Sequence, residues 1–191
     1  EKGQICLGST ERLVDFLVER GIHGLFPGGT TGEGPLLTIS ERRQLAEVFV
    51  QVADGRVPVI VHTGTITTAD TLELTRHAHA SGAQAAALMP PYFYRHSDEA
   101  LLCHFERIAT QVPDFPIYLY NYPSAVGNNI SLELVTRLVE RCPNIVGMKD
   151  SSGSLDTLSA LSSLRNGRFN TASGNDGQIL MGIAMGFDAC V

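Results

Sequence analysis

Only two of the 14 basic residues in this 191-residue chain are lysines, Lys2 and Lys149; the other twelve are arginines. Lys149 closes the short, β-prone run Ile145-Val146-Gly147-Met148 and is followed at once by Asp150-Ser151-Ser152-Gly153. Lysine is seldom buried without a purpose. Arginine stays protonated near neutrality, whereas desolvation can push a lysine amine down by several pKa units and make it nucleophilic. The natural work for such an amine is a Schiff base with a carbonyl substrate. The competing reading is a strand-end lysine that snorkels to solvent.

Other residues with chemical potential sit at comparable places. Gly28-Gly29-Thr30-Thr31-Gly32-Glu33 follows an apolar run; its glycines let successive N–H groups converge on one point, and its hydroxyls add donors or a proton relay. It is neither a Walker loop nor G-x-G-x-x-G, and a tight turn would also satisfy it. Tyr120-Asn121-Tyr122-Pro123 ends another run, where a phenol can serve as acid and base or simply as an amphipathic strand end. Residues 90–94, Pro-Pro-Tyr-Phe-Tyr, form an aromatic loop suited to a subunit contact or a pocket wall. Ser173-Gly174-Asn175-Asp176 reads as a polar turn with a helix cap that also offers donors. The six histidines form no metal set, since His77 and His79 fall on different sides of a helix. The four cysteines are scattered, without C-x-x-C, which fits free thiols in a cytoplasmic protein.

The elements that must hold these residues alternate. Residues 9–20 read as an amphipathic helix capped by Ser9 or Thr10, and residues 23–27 as a strand. Ser40 is the expected cap of the next helix, with Arg43 at its third position and hence no full capping box. Strands follow at 58–62, 85–89, 116–121, 145–149, 168–173 and from 188. Helices are expected at 68–80, 97–111, 131–141, 154–164 and 177–185. Regular β-α alternation with apolar strands indicates an α/β fold with a parallel sheet. In a doubly wound sheet the site gathers at one switch point, whereas in a (β/α)8 TIM barrel every strand end faces the same mouth. Six consecutive strand ends carry special residues here, at 28–33, His62 to Gly64, 92–94, 120–122, 149–151 and 173–176, which favours the barrel. Residues 1–7 are too short and polar to supply the strand expected before residue 9, and residues 188–191 begin a strand without its helix. The expectation is one catalytic domain over residues 1–191, an incomplete barrel belonging to a longer protein and poorly soluble alone.

Composition narrows the function. A net charge of −6 with no basic run argues against nucleic acid or an anionic membrane as partner. No apolar run approaches the ~18 residues of a membrane span, and no signal-peptide pattern opens the chain.

At these residues the sequence resembles the dihydrodipicolinate synthase / N-acetylneuraminate lyase family of class I, Schiff-base aldolases. The resemblance rests on Gly29-Thr30-Thr31-Gly32-Glu33, on Tyr120-Asn121-x-Pro123 with Gly127, and on residues 147–153, Gly-Met-Lys-Asp-Ser-Ser-Gly; residues 173–176 match more loosely. It implies a (β/α)8 barrel, usually a homotetramer, that needs no cofactor or metal. Lys149 would form the imine with pyruvate or another 2-oxo acid, Thr30 and Thr31 would bind its carboxylate and join the proton relay, and Tyr120 would shuttle protons. Gly29, Gly174, Asn175 and Val191 would complete the substrate site. An aldehyde would be the second partner.

Two departures bear on the substrate. The synthases usually carry an arginine shortly after the tyrosine motif, where this chain has Ala125 and Val126. The family's aromatic loop usually places at position 93 a tyrosine that reaches the neighbouring subunit; here it is Phe93. The departures favour a lyase acting on a 2-keto-3-deoxy sugar acid. The alternatives are 4-hydroxy-tetrahydrodipicolinate synthesis, a 5-dehydro-4-deoxyglucarate dehydratase-like reaction, and a protein that binds a 2-oxo acid without turning it over.

Overall fold

The computed structural model describes residues 5–164 and 168–191. Residues 1–4, which include Lys2 and most of the segment judged too polar for a strand, lie outside the described residues. Six strands form one parallel sheet in simple sequence order: β1 (Ile60–His62), β2 (Ala85–Leu88), β3 (Ile117–Asn121), β4 (Ile145–Asp150), β5 (Asn170–Ser173) and β6 (Ala189–Cys190). The helices are α1 (Leu7–Glu19), α2 (Ile39–Ala53), α3 (Thr68–Ala80), α4 (Asp98–Ala109), α5 (Pro123–Val126), α6 (Leu132–Arg141), α7 (Leu155–Ser162) and α8 (Ile179–Ala184). The curled sheet with its surrounding helices is an incomplete (β/α)8 barrel.

The central strands β2, β3 and β4 are largely buried on both faces because their sequences allow it. β2 is Ala-Ala-Ala-Leu with all four residues buried, small enough to let α3 lie close. α6 shows the matching helix logic: Leu134, Val135, Leu138 and Val139 form one buried stripe at helical spacing. Burying side chains of this size stabilises the fold by about 1.5–3 kcal/mol each. A second, smaller apolar cluster of Met89, Tyr120 and Val126 packs with Phe26, Tyr92 and Tyr122 beside the strand ends.

Three local expectations are corrected. α1 begins at Leu7, ahead of Ser9 and Thr10, and its cap residue Cys6 makes no side-chain cap bond. The cap of α2 is Thr38 rather than Ser40. Its hydroxyl accepts from Glu41 N at 3.2 Å while its own N–H donates to Glu41 Oε2 at 2.9 Å, so the capping box is complete. The T-x-x-E phase places Ile39 and Ser40 inside the first turn. The strand expected at 23–27 shrinks to one parallel bridge, Leu25 to Val59. It still runs beside β1 through Leu25 N to Pro58 O, Ile60 N to Leu25 O and His62 N to Pro27 O, but Pro27 has no N–H to extend the ladder.

Candidate active site

Neighbouring strands of a parallel sheet put paired residues on the same face. Tyr120 of β3 pairs with Lys149 of β4, and Lys149 with Ala172 of β5. That pairing depends on an irregularity. Ile117 faces Ile145, but Tyr118 faces Gly147, so β4 gains one residue at Val146. Without the extra residue Tyr120 would face Met148 and the lysine would point to the other side of the sheet. The alternate residues take the opposite face. Asp150 accepts from Ser152 N at 2.6 Å and from Asn121 Nδ2 at 3.4 Å, and Asn121 Oδ1 accepts from Ile130 N at 2.9 Å. This brace fixes the strand ends from behind while Lys149 and Tyr120 face forward.

They face a cavity of about 590 Å3 at the strands' C-terminal ends. All eight residues singled out from the sequence line it: Gly29, Thr30, Thr31, Tyr120, Lys149, Gly174, Asn175 and Val191. Thr30 Oγ1 and Tyr120 Oη are 3.0 Å apart, a hydroxyl pair joining the glycine-rich loop to β3. Val191 continues the ladder through its N–H to Ser173 O at 2.8 Å. Gly174 is required for space, since a Cβ there would come within 2.8 Å of Lys149 Cε and nearer still to Ser151. Asn175 also caps the following turn, its Oδ1 accepting from Gly177 N at 3.0 Å.

Lys149 is only 9% exposed and forms no salt bridge among the described residues. Its ammonium lies over the faces of Phe26 and Tyr120, 4.6 and 4.5 Å from the ring centroids. Burial pushes the amine down to about 8, with the Asp176 carboxylate pulling the other way. A useful fraction is therefore the neutral, nucleophilic amine near neutrality. The arrangement can attack a carbonyl carbon from Nζ and pass protons along Tyr120 and Thr30.

Five further cavity residues, Phe26, Gly32, Tyr122, Ser151 and Asp176, were not assigned to the site from the sequence. Gly32, Tyr122, Ser151 and Asp176 lie within motifs that were read, so their strand-end positions were the available signal. Phe26 sits in the run that leads into the glycine-rich motif, and its place at the end of that run was its signal. Of the aromatic loop, Tyr92 packs into the small apolar cluster, while Phe93 and Tyr94 are exposed and stack edge-on at 4.9 Å. None of the three lines the cavity. Phe93 has φ of 80°, a left-handed backbone uncommon for a bulky side chain. Among the described residues no group of His, Cys, Asp and Glu could hold a metal ion, and no helix is long and apolar enough to cross a membrane.

Residues 1–191 match the Dihydrodipicolinate synthetase family. The 4-hydroxy-tetrahydrodipicolinate synthase of Fervidobacterium nodosum is 40% identical over 174 residues, 91% of this chain and 59% of that protein. The same enzyme of Thermus thermophilus is 43% identical over 160 residues, 84% of this chain and 54% of that protein. Among solved structures, dihydrodipicolinate synthase from Aquifex aeolicus superposes with a TM-score of 0.95 at 33% identity, covering 100% of this chain and 65% of its own. YagE, a prophage protein of the same family from E. coli K12 solved in complex with pyruvate, gives 0.93 at 32% identity, covering 99% and 64%. The chain thus spans between half and two thirds of the length of these relatives. On sequence and fold together, the chain belongs to the dihydrodipicolinate synthetase family.

Proposed function

We propose that this chain carries the catalytic centre of a class I, Schiff-base aldolase that uses pyruvate, and that its reaction is 4-hydroxy-tetrahydrodipicolinate synthesis. The observation that carries the first half is the buried Lys149 amine, in register with Tyr120 and facing a cavity rimmed by Gly29-Thr30-Thr31. Lys149 Nζ attacks the 2-oxo carbon, the carbonyl oxygen leaves as water, and the protonated imine becomes an electron sink. Loss of a proton from the adjacent methyl gives an enamine, whose carbon attacks the aldehyde. Tyr120, with Thr30 3.0 Å behind it, moves the proton at the aldehyde oxygen, and attack of the semialdehyde's own amine on the imine carbon closes the ring and releases Lys149 as the free amine. The threonine hydroxyls and loop backbone hold the carboxylate. No cofactor or metal enters these steps.

The second half rests on the relatives. Those at 40% and 43% identity are synthases, which favours aspartate semialdehyde as the second substrate over the sugar acid expected from Ala125. The turn after Tyr120 is not without a cation: the Arg95 guanidinium donates to the Gly127 carbonyl, at the end of α5. We assign it the semialdehyde's carboxylate. Ala125 itself remains the observation in favour of the sugar-acid reading.

A product assay on the full-length protein separates the two. Pyruvate consumption with aspartate semialdehyde is expected, and Arg95→Ala is expected to raise KM for the semialdehyde while leaving that for pyruvate. Release of pyruvate from a 2-keto-3-deoxy sugar acid, without turnover of the semialdehyde, would reverse the choice. Ligand binding with neither activity would leave a 2-oxo-acid-binding protein. Assembly as a homotetramer and a cytoplasmic location are further proposals from the family resemblance.

A further inference from the structure

A cluster of buried polar groups next to the cavity takes no part in the chemistry above. His62, the last residue of β1, is 2% exposed, stacks on Phe26 at 6.3 Å and meets Tyr120 edge-on at 5.6 Å. Its Nδ1 lies 2.7 Å from the carbonyl oxygen of Gly28. Arg42 reaches the same place from α2 and is 5% exposed. Its guanidinium donates to His62 O at 2.8 Å and to Gly64 O at 2.9 Å, and its Nη2 lies 3.3 Å from His62 Nδ1.

These distances fix the tautomer. A carbonyl oxygen can only accept, so at 2.7 Å Nδ1 carries the proton and Nε2 is a bare lone pair. Arg42 Nη2 then has its acceptor in the His62 carbonyl. His62 Nε2 and Arg42 Nε are buried without partners among the described residues. Groups left in that condition weaken a fold, so their retention calls for a reason outside stability. The charged groups facing the imidazole are Arg42 and Lys149, both cationic. Burial and these charges push the ring down to about 3, so it is a fixed neutral donor and not a proton carrier.

What it donates to is the hinge of the loop that rims the cavity. Gly28 has φ of 73° and no side chain to anchor it, and it immediately precedes Gly29-Thr30-Thr31. We propose that His62, braced by Arg42, is a positioning residue: its Nδ1–H clamps the Gly28 carbonyl and so holds the Gly29-Thr30-Thr31 loop in place for the carboxylate of a 2-oxo acid. This rests on the imine reading above, because it takes the loop as the carboxylate site. Arg42 has no ion-pair partner among the described residues, so its positive charge stands beside His62 uncompensated by a carboxylate.

Two variants of the full-length protein test it. Asparagine can put an amide N–H where His62 Nδ1 stands, and leucine cannot. His62→Leu is expected to raise KM for pyruvate about tenfold, the scale of one lost hydrogen bond, with a smaller change in kcat. His62→Asn is expected to restore most of the loss, a rescue that simple packing would not produce. Imidazole 15N spectra of the unmodified protein should show His62 protonated at Nδ1 and bare at Nε2. Equal KM in the two variants, or a proton found on Nε2, overturns the assignment; the spectrum decides alone if His62→Leu fails to melt cooperatively. A borohydride adduct with pyruvate on the unmodified protein keeps the two proposals apart. If it forms and the variants behave alike, only this inference falls; if it does not form, the imine reading falls first.

Discussion

Lys149 carries both the chemistry and a cost to the fold. Its amine has a reference value of 10.5 and is pushed down to about 8 by burial, so the folded protein binds fewer protons than the unfolded chain between those values. Stability therefore rises with pH across that window, and the full penalty applies below it. Lys149→Met is expected to stabilise the protein by on the order of 2–3 kcal/mol at neutral pH, with the gain shrinking as pH climbs from about 8 towards 10.5. Urea melts at several pH values check this; a gain that grows with pH would contradict it. The same titration governs reactivity, and the rate of pyruvate adduct formation should climb with pH and level off above about 8. Tyr120→Phe removes the hydroxyl 3.0 Å from Thr30 and leaves the amine in place. It should lower kcat about 10²–10⁴-fold while still allowing the imine to be trapped. The lysine was legible in the sequence because the chain has almost no others and this one closes an apolar run. Phe26 was not, because a ring reveals nothing until the fold brings it against its neighbour.

Elements place these groups, and small irregularities decide the outcome. The extra residue at Val146 shifts β4 by one place and so turns Lys149 towards Tyr120. Helix and strand spacing gave β3, β4, α4 and α6 to within a few residues, since their apolar periodicity is strong and their Ser97 and Ser131 caps are unambiguous. The bulge was invisible, because register is a property of two strands and a sequence lists one at a time. The start of α2 was misplaced for a different reason: Thr38 and Ser40 are both competent caps, and only Glu41 as partner distinguishes them. Thr38→Ala breaks both arms of that box and should cost about 1 kcal/mol, read as a lower urea midpoint. Ser40→Ala should be nearly neutral. The reverse order would restore the cap to Ser40.

At the scale of the molecule, the alternation of strands and helices announced a parallel α/β fold, and the decorated strand ends announced both the barrel and where its site would be. Its second substrate stays illegible there, because Ala125 and the relatives point to different aldehydes. The incomplete barrel also presents apolar surface: Leu180 and Ile183 on α8 are 79% and 68% exposed beside the short edge strand β6. An apolar helix face next to a strand edge that is unpaired among the described residues favours association. Residues 1–191 expressed alone should scatter light increasingly with concentration, and Leu180→Glu with Ile183→Lys should reduce it. Sodium borohydride trapping with pyruvate on the full-length protein, followed by peptide mapping, tests the role of Lys149 most directly. A reduced pyruvyl adduct on Lys149, absent in Lys149→Arg, is the predicted result. A folded protein that yields no adduct, or one that keeps full turnover as Lys149→Arg, would contradict the account.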